Sequence, residues 1–90
     1  MTTPEDRIAE LRSLIGANDR TIVAAVNERL QLVAELWRLK EESGAERLDL
    51  ERERRLRGML AGANDGPLSA DGLDSLVTEL LALTKRELGS

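Results

Sequence analysis

Residues 11–40 read LRSLIGANDRTIVAAVNERLQLVAELWRLK, and the spacing of their apolar side chains decides the fold class. Ile8, just upstream, begins a series continued by Leu11, Ile15, Ile22, Val26, Leu30, Val33, Leu36 and Leu39. The steps are mostly three or four residues, the period of one face of an α-helix. Pro4 sits just inside a helix start, Thr3 is placed to cap it, and Glu5 and Asp6 follow in the first turn. No further proline occurs before Glu42, and Gly16 is the one weak position. The expectation is a single helix of roughly 35 residues, about 50 Å long at 1.5 Å per residue. Gly44 marks its end.

Two shorter helices follow. Asp49 is a good N-cap for the second, which is expected to run to about Gly62 with Leu56, Met59 and Leu60 on its apolar face. Residues 62–67, GANDGP, form a turn cluster. Ser69 caps the third helix, Asp71 lies in its first turn, and Leu73, Leu76, Val77, Leu80, Leu81, Thr84 and Leu88 make its stripe. The fold class is all-α, with one long and two shorter helices in a single domain, residues 1–90. A helix of that length cannot be covered by two shorter ones from its own chain, and a small domain is marginal on its own core. A homodimer in which the long helices pack together is therefore expected. A regular coiled coil fits less well, because Gly16, Asn18 and Arg29 interrupt the repeat.

Composition narrows the chemistry. The chain has no histidine and no cysteine, one aromatic residue, Trp37, and a net charge of −4. Histidine triads, thiolate nucleophiles and the usual zinc sites are excluded, and neither a metal nor a cofactor is expected. The acidic balance argues against nucleic acid as the main partner. The polar start, MTTPEDRIAELR, does not read as a signal peptide or membrane span, so the default location is the cytoplasm. What remains is carboxylate or lysine chemistry, or catalysis by positioning and fixed charge.

The charged residues that stand out are these. Arg29 lies inside the apolar run, and Lys40, eleven residues on, returns to within about 20° of the same face. Arg12 points about 100° away from Arg29, a direction from which it could reach the other side of a dimer. Asp49, Arg52 and Glu53 share one side of the second helix. Bland readings stand beside these. Arg54, Arg55 and Arg57 read as solvated surface residues. Arg29 could form a buried structural pair, for example with Glu53, because a cation in an apolar stripe needs a partner. Thr84 could simply bond its own i−4 carbonyl, and Trp37 reads as packing. The functional reading joins the cations, the carboxylates and the hydroxyl around a small ligand that carries two carboxylates and a hydroxyl, since arginine forks bind carboxylates.

The order of the segments LRSLIGANDRTIVAAVNERLQLVAELWRLK, LDLERER and LSADGLDSLVTELLALTKREL resembles the all-helical chorismate mutases, over nearly the whole chain from residue 8 to 88. The loop SGAERL, residues 43–48, and the end at Leu88 and Gly89 are similar to the short actinobacterial subgroup. The resemblance implies an intertwined helical homodimer with two active sites, each taking Arg12 from the other protomer. It implies that Arg29 and Arg52 hold the two carboxylates of chorismate, with Arg12 sharing one. Lys40 would bond the ether oxygen, Glu53 would accept from the ring hydroxyl with the backbone near Asp49 assisting, and Thr84 would line the pocket. The family usually places Gln or Glu four residues after that Ser or Thr; here the position is Leu88. Short members can also gain activity by docking onto the first enzyme of the shikimate pathway. The same fold acting on 4-amino-4-deoxychorismate, or a weakly active or non-catalytic helical dimer module, are the alternatives; a helical lyase acting on isochorismate fits less well.

Overall fold

The computed structural model describes residues 3–46 and 49–89, and among them every regular element is a helix. The helices are α1, Pro4–Ser43, α2, Leu50–Ala63, and α3, Ala70–Leu88. Arg47 and Leu48, which belong to the loop similar to the actinobacterial subgroup, lie outside the described residues. The chain divides into two compact units, residues 1–32 and 33–90, with the boundary inside α1.

The first unit is the N-terminal part of α1. Its start is a reciprocal cap: the Asp6 amide donates to Thr3 Oγ1 at 3.1 Å, and the Thr3 amide donates to Asp6 Oδ2 at 3.4 Å. Two otherwise orphaned donors are thereby satisfied. The helix continues through Gly16 without a break, and at 40 residues α1 exceeds the length expected from periodicity. Much of its apolar surface is open, although Val26 and Leu30 are half-buried. Ile8, Leu11, Leu14, Ile15, Ile22, Val23 and Leu32 are 41 to 61% exposed.

The second unit holds the end of α1 together with α2 and α3. The stop at Gly44 has a local cause. Gly44 takes φ +78°, its amide donates to Glu41 O at 3.3 Å, and the Ala45 amide donates to Lys40 O at 2.8 Å. That pair of bonds is a Schellman cap, which uses a left-handed residue that glycine adopts without a Cβ penalty. Asp49 caps α2 through its carboxylate, which accepts from the Arg52 amide at 3.0 Å. Ser69 caps α3 by accepting from the Gly72 amide at 2.9 Å. Gly72 is constrained by space: a Cβ there would lie 2.9 Å from Leu68 Cδ1, so glycine lets Leu68 fold over the head of α3.

α2 packs on α3. The core is thin, since Val77 at 2% exposure is the one buried hydrophobic side chain among the described residues, with Thr84 also buried at 4%. Two details of the expected stripes differ. Met59 is 61% exposed and Leu76 is 55% exposed. Met59 follows Leu56 by three residues but lies about 100° from Leu60, on the side of α2 turned from α3. Leu76 lies about 100° from Val77 by the same geometry. No helix among the described residues is long and apolar enough to cross a membrane.

Candidate active site

The candidate residues are distributed over both units. Arg12 is exposed and Arg29 half-buried in the first unit; Lys40, Asp49, Arg52, Glu53 and Thr84 belong to the second.

Lys40 is half-buried in the last turn of α1, where a cation also suits the negative end of the helix dipole. Its own carbonyl is held twice, by the Ala45 amide at 2.8 Å and by Ser43 Oγ at 3.1 Å. The backbone that carries the Lys40 side chain is therefore anchored by the Schellman cap.

The head of α2 is organised by Asp49. Its side chain engages the Arg52 amide at 3.0 Å, and its carbonyl accepts from the Glu53 amide at 3.1 Å. One residue thus sets the backbone of the two that follow it by a turn. Arg52 is exposed, whereas Glu53 is half-buried. Adjacent helix positions diverge by about 100°, so Glu53 falls on the side of Leu56, Arg57 and Leu60, and Arg52 falls outside it.

Thr84 has the bond its bland reading expects. Its hydroxyl donates to Leu80 O at 2.8 Å, the i−4 carbonyl.

One expectation is corrected. Arg54 does form a solvated i,i+3 pair with Glu51 at 2.8 Å, and Arg55 is exposed. Arg57 does not belong with them. Its guanidinium reaches across to α3, donating to Asp74 Oδ1 at 2.6 Å and to Thr78 Oγ1 at 3.0 Å. Sequence spacing pointed away from this because the partners are 17 and 21 residues distant. The available signal was weak: an acid and a hydroxyl four apart on α3, beside its apolar stripe.

Among the described residues no group of three or more His, Cys, Asp or Glu side chains is placed to hold a metal ion. The helical architecture and the absence of histidine and cysteine define a class of all-helical protein left with carboxylate or lysine chemistry, or with catalysis by fixed charge and positioning. Within that class the chain belongs to a particular family, chorismate mutase type II, whose family model matches residues 11–87. Among solved structures, chorismate mutase (Form I) from Thermus thermophilus is similar, with a TM-score of 0.83 and 31% sequence identity over 87% of this chain and 98% of that one. No curated protein matches the chain significantly.

Proposed function

We propose that two copies of this chain form a homodimer that rearranges chorismate to prephenate, holding the dianion by fixed charge. The observation that carries this reading is the extent of the family match. Residues 11–87 include all seven candidates, from Arg12 through Arg29, Lys40, Asp49, Arg52 and Glu53 to Thr84. The reaction is a pericyclic rearrangement in which no proton is transferred and no covalent intermediate forms. A chain without histidine and cysteine is sufficient for it.

In this reading Arg29 and Arg52 grip the two carboxylates, and Arg12 of the other protomer shares one of them. Bidentate guanidinium contacts favour the compact conformer over the extended one, which converts binding into orientation. Negative charge develops on the ether oxygen as its bond to carbon breaks. The Lys40 ammonium stabilises that charge. Glu53 accepts from the ring hydroxyl, assisted by the backbone near Asp49, and Thr84 lines the pocket. Leu88, half-buried at the end of α3, offers no polar contact to the ether oxygen, so Lys40 acts there without help.

Dimerisation is supported by exposure. Thirteen large hydrophobic side chains are 41 to 64% exposed in the single chain, while one hydrophobic residue is buried among those described. A domain of this size needs more core than that to stand alone. The similarity of the loop SGAERL to the short actinobacterial members extends the proposal to an enzyme of modest intrinsic rate, further activated by docking to a shikimate-pathway enzyme, with the cytoplasm as its default location. The experiment is to follow chorismate loss and prephenate formation with purified protein, alone and then with the first enzyme of that pathway. Turnover in the first arm supports the mutase reading, and acceleration in the second supports docking. Absence of turnover in both arms refutes the mutase reading.

A further inference from the structure

α2 carries two of the candidate site residues, Arg52 and Glu53, yet none of its residues is buried in the chain. A 14-residue helix is marginal by itself, so its placement depends on what ties it down. Among the described residues two polar ties to the α3 region are present. Asn64 Nδ2 donates to Leu68 O at 2.9 Å, just past the end of α2. The other is Arg57, whose one terminal nitrogen donates to Asp74 Oδ1 at 2.6 Å and to Asp74 O at 3.4 Å, while the second donates to Thr78 Oγ1 at 3.0 Å.

The geometry of the Arg57 tie is specific. Asp74 and Thr78 are one helical turn apart, so the planar guanidinium spans a turn of α3 with both of its prongs. A slide of α2 by one residue, about 1.5 Å, or a turn by about 100°, removes at least one prong. Glu53 is four residues before Arg57, on the same face and about 6 Å away along the axis. The tie therefore sits directly behind the turn that presents Arg52 and Glu53.

We propose that Arg57 is a positioning residue of the mutase site, holding α2 in the register on α3 at which Arg52 and Glu53 meet the substrate; this rests on the mutase reading above. The Arg57 side chain remains 35% exposed and Asp74 70% exposed, and ion pairs this open contribute little to stability. The effect of the tie belongs to orientation instead. Without it α2 samples other registers, and substrate must select the seated one. Apparent affinity then falls by the seated fraction, while turnover at saturation is retained.

The test is steady-state kinetics of Arg57→Met, which keeps an unbranched apolar stem and removes both prongs, with Arg57→Lys beside it. If α2 is seated about one tenth of the time, KM rises roughly tenfold with kcat within about twofold of wild type. Arg57→Lys, which keeps the charge but not the fork, falls between the two. The melting temperature shifts by no more than about 5 °C. Thr78→Val removes one prong from an exposed position, and serves if Arg57→Met does not fold; it raises KM in the same direction by less. Unchanged KM in Arg57→Met, or in Thr78→Val where the former does not fold, overturns the proposal, as does a fall in kcat at constant KM. Wild type serves as reference: if it is inactive both alone and with the first enzyme of the shikimate pathway the mutase reading has failed, whereas an active wild type with equally active variants removes the positioning role alone.

Discussion

Replacing Ile22 by lysine separates a stable monomer from an obligate dimer. Ile22 is 53% exposed on the single chain and lies near the centre of α1. Lysine is the better helix former, so on an isolated helix the substitution should be neutral or slightly favourable. In a dimer that covers Ile22 the outcome reverses. Completing the burial of an isoleucine that is already half covered contributes about 1–1.5 kcal/mol per protomer. Both protomers lose it through symmetry, about 2–3 kcal/mol in all, before any cost of covering an ammonium. The dimer Kd should then rise by roughly 30- to 150-fold. Sedimentation equilibrium and far-ultraviolet circular dichroism over a dilution series read the two quantities together. Wild type should lose helicity as it dissociates, and Ile22→Lys should do so at higher concentration. A wild-type chain that is fully helical and monomeric at low micromolar concentration, with Ile22→Lys unchanged from it, would refute the reasoning.

The remaining predictions concern the site. Arg12→Ala and Arg29→Ala chains, each weak alone, should regain activity when mixed, since a heterodimer keeps one intact site; proven subunit exchange without recovery would place both residues in the same protomer's site or in none. Lys40→Ala should lower kcat by at least ~100-fold, the scale of losing one donor to a developing oxyanion, and Lys40→Arg should retain more; a Lys40→Ala protein as active as wild type would remove the electrostatic account. Because no proton moves in the rearrangement, kcat should be nearly flat from about pH 6 to 8, and a sharp bell near neutrality would contradict positioning by fixed charge. Leu88→Gln should raise activity at neutral pH by adding a donor where the chain has an apolar side chain, as judged by kcat alone.

Which features were legible in the sequence follows from how far apart their causes lie. The helix ends were readable because their physics is local. Thr3, Gly44, Asp49 and Ser69 each meet partners within five residues, and each acts where its residue type indicated. The Thr84 hydroxyl was readable for the same reason, since its acceptor is one turn back on its own helix. The spacing of Arg12, Arg29, Lys40 and Arg52 was visible as a pattern, and the family match spans it.

The sequence by itself thus determined three helices, their caps, their stripes and the family. Periodicity and capping depend on neighbours within a turn or so, and family membership on the order of residues along the chain. Only the tertiary structure decided which members of the stripes are covered. Leu76 and Val77 are adjacent and both apolar, yet one is 55% and the other 2% exposed, because burial depends on what the fold places opposite each side chain. It also decided that Arg57 leaves the solvated arginine cluster to join Asp74 and Thr78. That pairing depends on how α2 lies against α3, and no local rule along the chain encodes the meeting of side chains 17 and 21 residues apart.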